Sequence, residues 1–137
     1  MSKSEHKKHY YSSGKLHYEE WWLNDKLHRP DGPAFISYYK NGKLEYEAWW
    51  LNGKRHRTDR PAFISHYESG ELRCEEWRLN GKRHRIDGPA FIGYYKDGEP
   101  EYEAWYINDE QLSKEKFINS YEHQNYLADL VINKILE

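Results

Sequence analysis

The chain repeats itself with a period of 28 residues, and this period limits the available folds more than any other feature. Three complete units follow one another, Trp21–Ala48, Trp49–Glu76 and Trp77–Ala104, and adjacent units are identical at 17 of 28 positions. Half units precede and follow them, at 10–20 and 105–111. Copies that keep a constant phase predict units that stack side by side, each covering the next.

Each unit carries two turn signals with no helical segment between them. The first is Asn41-Gly42 and its counterparts, because such pairs accept the positive φ of tight hairpins. We therefore expect Ala34–Tyr39 to pair with Leu44–Leu51, and the equivalent segments of other units to do the same. The second signal is a longer loop from Asn52 to Pro61, where proline marks the entry to the next strand. Short connections predict an antiparallel meander of about seven strands.

The pattern changes from alternating to helical after Asn108. Ser113 is the predicted N-cap, and a break at Asn119-Ser120 or at 123–125 would divide the segment into two helices. A helical cap over 112–137 would protect the last strand of a repeat array over 1–111, and its apolar stripe is also a candidate dimer contact. The candidate cap or dimer residues are Phe117, Tyr121, Leu127, Leu130, Val131 and Ile135.

The copies differ from one another along one side of each Trp-containing strand. Glu47, Trp49 and Leu51 are nearly unchanged between units, whereas the side that carries Ala48 and Trp50 drifts. Residues that stack on their own copies are constrained by both neighbours, so the drifting positions are the better candidates for a partner surface. Packing of the aromatic rings within the stack is the alternative. The candidate surface comprises Tyr18, Trp22, Tyr38, Tyr46, Trp50, His66, Arg78, Tyr94, Tyr102 and Tyr106.

The second loop repeats the motif His-Arg-x-Asp. It occurs in every unit beside further bases and without a recurring Ser or Cys nucleophile, so we expect a structural role and no catalytic, metal or cofactor site. Arg60 replaces the glycine of the other loops, so the middle loop should differ in shape if that position needs positive φ. Stacked loops would align cations that bind phosphates or anionic lipid headgroups, or that form a solvated edge. These cations are Lys26, Arg29, Lys54, Arg55, Arg57, Lys82, Arg83 and Arg85.

Charge and composition exclude several classes of protein. The net charge is −2, and each complete unit carries equal numbers of acids and bases, so no nucleic-acid partner is expected. Cys74 is the single cysteine, which excludes an internal disulfide and fits a reducing compartment. No apolar run could span a membrane, and Met1–His9 lacks the apolar stretch of a signal peptide. We therefore expect a soluble, cytoplasmic, non-enzymatic protein without a transmembrane segment.

The segments Tyr38–Glu47 and Trp49–Lys54 carry a recognisable motif, Tyr-Tyr-x-x-Gly-x-x-x-x-Glu followed by Trp-x-x-Asn-Gly-Lys. Over about residues 10–110 the chain resembles MORN-type repeat proteins, especially the antitoxin-like variant and the repeat proteins of giant viruses and phages. Its period of 28 is longer than that family's usual unit, and His-Arg-x-Asp-Gly-Pro replaces the family's Gly-x-Gly step. The resemblance implies an elongated antiparallel sheet and protein–protein assembly, often as a homodimer, with lipid association in some members. It implies no catalytic residue, and for a viral protein it implies the host-cell cytoplasm.

Overall fold

The computed structural model describes all residues, 1–137, and it is mainly β, as predicted. The strands of the first half are β1 (Ser4–Tyr10), β2 (Leu16–Leu23), β3 (Lys26–Leu27), β4 (Phe35–Tyr38), β5 (Leu44–Ala48), β6 (Trp50–Leu51) and β7 (Lys54–Arg55). Those of the second half are β8 (Phe63–His66), β9 (Leu72–Glu76), β10 (Arg78–Leu79), β11 (Lys82–Arg83), β12 (Phe91–Tyr94), β13 (Pro100–Ile107) and β14 (Glu110–Leu112). Two helices follow, α1 (Lys114–Ile118) and α2 (Tyr121–Leu136).

One antiparallel sheet of ten strands runs through all the copies. Its order is β1-β2-β4-β5-β8-β9-β12-β13-β14, with β3 beside β2. The register keeps the sequence period, because Phe35 lies opposite both Glu20 and Ala48, and Phe63 lies opposite both Ala48 and Glu76. The strands β4, β8 and β12 therefore each pair with equivalent positions of the strands on both sides. The backbone hydrogen-bond ladder continues in this way from one unit into the next.

The first turn signal forms the predicted hairpins. Between β4 and β5 the Gly42 N–H donates to the Tyr39 carbonyl at 2.9 Å, and the Tyr39 N–H donates to the Lys43 carbonyl at 2.9 Å. Gly42 has a φ of 86°, so a type I turn is followed by a glycine bulge in the left-handed region. The bulge shifts the register between Ser37 and Tyr38, and the same shift recurs in the other units.

The second turn signal forms a hairpin of its own, which differs from the prediction. The expected strand Leu44–Leu51 is interrupted at Trp49, because β5 ends at Ala48 and β6 pairs with β7 instead. Asn52 and Gly53, at φ 50° and 77°, form a type I′ turn, whose twist suits a two-residue hairpin. The predicted long loop thus contains a small sheet, which we call the small hairpin of its unit. β10–β11 is the small hairpin of the next unit.

Adjacent units are also joined through their small hairpins. The Gly53 N–H donates to the Leu27 carbonyl at 2.9 Å, and the Asn52 N–H donates to His28 Nδ1 at 2.9 Å. The same histidine bond recurs from Asn80 to His56 at 2.9 Å. Because Nδ1 accepts, each imidazole is the neutral tautomer with its proton on Nε2. The histidine of the His-Arg-x-Asp motif is therefore a structural link between units.

The sequence interpretation missed the first strand, β1. This strand pairs along the whole of β2, with Ser4 opposite Leu23 and His9 opposite Tyr18. Its residues are the counterparts, 28 positions earlier, of β4, but Lys8 stands where Ile36 would be. Because polar residues replace apolar ones in this segment, it lacks the alternation of apolar and polar residues that indicates a strand. Lysines on an edge strand oppose pairing with another chain, so β1 ends the sheet.

The sheet is a single layer without a conventional core. Only 11 of 137 residues are buried, and the buried apolar ones are five alanines together with Pro61, Ile107 and Phe117. The accessible surface is 9021 Å², compared with roughly 7,600 Å² for a compact protein of 16.7 kDa. Both faces of the sheet are therefore accessible to solvent.

The two helices have different relations to the sheet. Ser113 is the N-cap of α1, where its hydroxyl accepts the Lys116 N–H at 3.2 Å, and Phe117 packs on the β13–β14 end at 2% exposure. The chain then divides at Asn119-Ser120, and Ser120 caps α2. Thus α1 covers the end of the sheet, while α2 extends beyond it.

We expect His56→Ala to lower the free energy of unfolding by about 1 kcal/mol, because it removes the acceptor that links one unit to the next turn. His56→Asn should recover most of the loss, since an amide oxygen can accept at the place of Nδ1. Urea unfolding of the three proteins measures this. Equal losses in both variants would show that the imidazole acts by packing and not as an acceptor.

Candidate functional site

The two faces of the sheet carry different columns of side chains. Directly opposed residues share a face, so the pairs Ile36–Glu47 and Phe35–Ala48 define opposite sides. The glutamate face carries Glu19, Glu47, Glu75, Glu103 and the tryptophans Trp21, Trp49, Trp77 and Trp105. The phenylalanine face carries Phe35, Phe63, Phe91 and the column Tyr18, Tyr46, Cys74, Tyr102.

The predicted partner surface is divided between these faces. Three members lie on the glutamate face, where the hydroxyl of Tyr38 donates to Glu19 at 3.2 Å and that of Tyr94 donates to Glu75 at 2.9 Å. Burial and Glu75 raise the pKa of Tyr94 to about 12. The members on the glutamate face are Tyr38, His66 and Tyr94, and those on the phenylalanine face are Tyr18, Trp22, Tyr46, Trp50, Arg78, Tyr102 and Tyr106.

The rings on the phenylalanine face stack on one another. Ring centroids are separated by 5.4 Å for Tyr18–Phe35, 5.5 Å for Phe35–Tyr46 and 5.4 Å for Tyr46–Phe63. Cys74 interrupts this stack, and its sulfur lies 3.0 Å from the Ser65 hydroxyl. Burial raises the pKa of the Cys74 thiol, which disfavours the reactive thiolate. Packing within the stack accounts for these rings.

Arginines of the loop motif lie over the tryptophans of the glutamate face. The guanidinium carbons are 4.0, 3.7 and 3.8 Å from the ring centroids in Arg29–Trp21, Arg57–Trp49 and Arg85–Trp77. Arg29 and Arg85 also pair with Asp31 and Asp87, at 3.3 and 2.7 Å. Such cation–π contacts and ion pairs hold the loops against the sheet. These arginines are engaged within the protein.

The middle loop differs in shape from the others, but for a different reason from the predicted one. Gly32 is not in the left-handed region; instead, an added Cβ would lie 2.9 Å from Cζ of Arg29. Arg60 stands at the equivalent position, yet Arg57 keeps its contacts with Trp49 and with the Pro61 carbonyl. The difference lies in the backbone, where Asp59 adopts a φ of 62°. Arg57 has no ion pair with Asp59, and burial together with Arg60 lowers the pKa of Arg57.

The predicted cationic edge is not one strip. Lys54 and Lys82 lie exposed on the small hairpins and Lys26 lies exposed on β3, whereas the arginines point to both faces of the sheet. Lys26, Lys54 and Lys82 form the first group, Arg29, Arg57 and Arg85 lie on the glutamate face, and Arg55 and Arg83 lie on the phenylalanine face.

Three arginines surround one buried carboxylate on the phenylalanine face, and we call this group the arginine cluster. Glu76 is 4% exposed and accepts from Arg78 Nε, from Arg83 Nε at 3.0 Å and from Arg55 Nη1 at 3.3 Å. Burial alone would raise the pKa of Glu76, but Arg78 and Arg83 outweigh it and lower the pKa. The cluster therefore holds an ionised carboxylate at the seam between the second and third units.

The copies contain a signal for this cluster that the sequence interpretation did not use. Glu76 stands where the flanking units have Ala48 and Ala104, and two positions later Arg78 replaces an aromatic residue. An acid and a base that appear together, two residues apart in a strand, lie on the same face. The predictions from the sequence place Arg78 in the candidate partner surface and Arg55 among the cations of the loop edge, and they assign Glu76 to neither site.

A groove of about 470 Å³ lies on the glutamate face between the second and third loops. Arg57 and Arg85 line it together with Asp59 and Asp87, so its charges balance. Tyr126 of α2 also lines this groove, and the His123 imidazole lies 2.8 Å from the Ile86 carbonyl. The groove is the place where the beginning of α2 meets the sheet.

The candidate dimer residues divide into two groups. Phe117, on α1, is buried where this helix meets β13 and β14, whereas the others are exposed, with Tyr121 and Ile135 each at 77%. Leu127, Leu130 and Val131 are 40%, 41% and 58% exposed. Every residue from Leu127 to Glu137 is exposed.

Comparison with known proteins finds no matching family model, no matching curated protein and no matching solved structure. The resemblance to MORN-type repeats therefore stays a prediction from the motifs. Neither helix combines the length and the apolar character that crossing a bilayer requires. No three His, Cys, Asp or Glu side chains come together as a set of metal ligands.

We expect Glu76→Gln to lower the free energy of unfolding by about 2 kcal/mol at neutral pH, because partly exposed arginines lose their counter-charge. The folded pKa of Glu76 lies below its unfolded value, so this stability is present above the unfolded pKa and disappears as pH falls through the folded pKa. Unfolding curves of the wild type and the variant should converge in acid. Glu101→Gln, at an exposed position, is the control. A difference that does not change with pH would contradict the ion-pair account.

Proposed function

We propose that this chain is a non-enzymatic assembly module of the MORN type, which forms a homodimer through α2. The observation that carries this proposal is the exposure of α2 from Leu127 to its end, although most of these residues are apolar. Leu127, Leu130, Val131 and Ile135 follow the spacing of one helical side and form the apolar stripe.

An apolar helix needs a surface to cover it. Isolated helices shorter than about 12–15 residues are marginal in water, and most helices in proteins are stabilised by packing one face. The first turns of the 16-residue helix α2 meet the sheet through His123 and Tyr126, whereas every residue from Leu127 onward is exposed. Contact with another surface would supply the missing packing.

A second copy of the chain suits this stripe. None of its four residues is charged, and Lys134 is the one charged residue that projects on the same side. Two copies can therefore meet through the four apolar side chains about a two-fold axis, with the Lys134 ammonium groups extended to solvent. Each Å² of apolar surface that such a contact covers contributes roughly 25 cal/mol. Pairing through α2 would leave both faces of each sheet open, so that the aromatic side chains Trp22 and Trp50 could meet further protein partners.

The placement of charges favours assembly over the lipid-headgroup alternative. That alternative needs one continuous cationic edge, whereas the structure divides the cations between two faces and pairs several with carboxylates. The net charge of −2 also gives no general attraction to an anionic membrane.

Leu130→Glu should convert the dimer to a monomer, because it places a charge within the apolar stripe. Sedimentation velocity should give about twice 16.7 kDa for the wild type and 16.7 kDa for the variant. Asn133→Glu, on the polar side of the same helix, should remain dimeric and serves as the matched control.

A wild-type protein that stays monomeric at all accessible concentrations would contradict the dimer. A Leu130→Glu variant that remains dimeric would place the interface elsewhere. Circular dichroism should show the same strand content in both variants, because α2 contributes little to the sheet.

A further inference from the structure

We propose that a cleft on the phenylalanine face binds the phosphate group of a small soluble ligand. The cleft lies between the small hairpins β6–β7 and β10–β11 and has a volume of about 350 Å³. We call it the inter-hairpin cleft. Its lining consists of Trp50, Gly53, Lys54, Arg55, Arg78 and Gly81.

The charges of the cleft are unbalanced. Its lining contains three cations and no carboxylate. Behind it, Arg55 and Arg78 share the single carboxylate of Glu76 with Arg83, so three guanidiniums meet one acid. This leaves a surplus of two positive charges, to which Lys54 adds a third. Clefts lined by one sign of charge concentrate ligands of the opposite sign.

Two residues of the cleft also carry buried donors without a protein acceptor, Nε1 of Trp50 and Nε of Arg55. In the preceding unit the equivalent indole is satisfied, because Trp22 Nε1 donates to Glu20 Oε2 at 2.8 Å. Ala48 stands at the position of Glu20 and cannot accept. A buried donor without a partner costs about 1–3 kcal/mol, so an acceptor beside Trp50 and Arg55 would be stabilising.

Phosphate is the anion that fits these observations best. Guanidinium groups bind phosphate through paired N–H donors, and lysine adds a compact charge. A phosphate monoester carries close to two negative charges at neutral pH, which matches the surplus better than the single charge of a carboxylate. Trp50 Nε1 and Arg55 Nε are enclosed by protein atoms in this structure, so each would reach a phosphate oxygen only after its side chain moves toward the cleft.

A soluble ligand suits the site better than a membrane surface. The surplus of charge is confined to one cleft between two hairpins, while the whole chain carries a net charge of −2. The surplus therefore acts at short range on a group that enters the cleft, and it does not extend over a wide surface. This site lies within one chain and does not depend on the dimer.

The test uses nuclear magnetic resonance of the indole N–H signals with O-phosphoserine and with inorganic phosphate as probes. Trp50→Phe identifies the Trp50 signal among the six tryptophans. Both probes should shift the Trp50 signal in a saturable way, because its N–H gains an acceptor. Serine without the phosphate should leave it unchanged.

Two variants locate the site, and a third is the control. Lys54→Gln should weaken binding about fivefold, since it removes one exposed charge from the lining. Ala48→Glu should abolish binding and shift the Trp50 signal without ligand, because it restores the acceptor that Glu20 provides for Trp22. Lys82→Gln changes the equivalent lysine of the next hairpin, outside the cleft, and should bind as the wild type does.

Absence of a saturable shift would overturn the proposal, as would equal weakening by Lys54→Gln and Lys82→Gln. Undiminished binding by Ala48→Glu would place the phosphate elsewhere and also overturn it. Vesicles of phosphatidylcholine with phosphatidic acid form a further arm. Binding to these vesicles without binding of the soluble probes would assign the charge to lipid headgroups and reject a soluble ligand.

Discussion

The uninterrupted backbone ladder between copies is the interaction on which the rest of this structure depends. A single-layer sheet has no interior to hold its strands together, and here no large side chain is fully buried. The ladder is continuous because β8 pairs with β5 of the preceding unit in the same register as with β9 of its own, so that Phe63 meets Ala48 on one side and Glu76 on the other. Every side-chain column, cation–π contact and inter-unit histidine bond follows from that register.

The small hairpins add a second line of contact at the margin of the sheet. Their type I′ turns require left-handed backbone at two successive residues, which Asn and Gly tolerate at low cost. Each turn donates backbone N–H groups to the preceding unit, to a carbonyl and to a histidine. The motif His-Arg-x-Asp is thus explained by structure: its histidine accepts from the next turn, and its arginine covers a tryptophan of its own unit.

The period and the turn chemistry were sufficient to predict the hairpin array and the helical end. They were insufficient to predict which residues share a face of the sheet. Alternation shows which residues of one strand lie on the same side, but the register between strands decides which residues of different strands lie on that side together. Tyr38 and Tyr46 were therefore placed together, although the structure puts them on opposite faces. β1 was missed because lysines occupy positions at which the later units carry apolar residues, as Lys8 does in place of Ile36. Glu76 was missed because only Arg78 is close to it in the sequence, while Arg55 and Arg83 come from other strands.

Differences between copies are also where the candidate functions arise. The change from Ala48 and Trp50 to Glu76 and Arg78 creates the arginine cluster, and the loss of the carboxylate that Trp22 uses leaves Trp50 without an acceptor. A uniform repeat would have neither feature. Stacking keeps equivalent positions adjacent, so a substitution in one unit creates a local site on an otherwise regular surface.

Cross-strand nuclear Overhauser effects test the central claim most directly, because they report the pairing of β5 with β8 and of β9 with β12. The account predicts contacts between Ala48 and Phe63 and between Glu76 and Phe91, across the seams between units. They should be as strong as those within a hairpin. Contacts within each hairpin but none across the seams would contradict the continuous ladder.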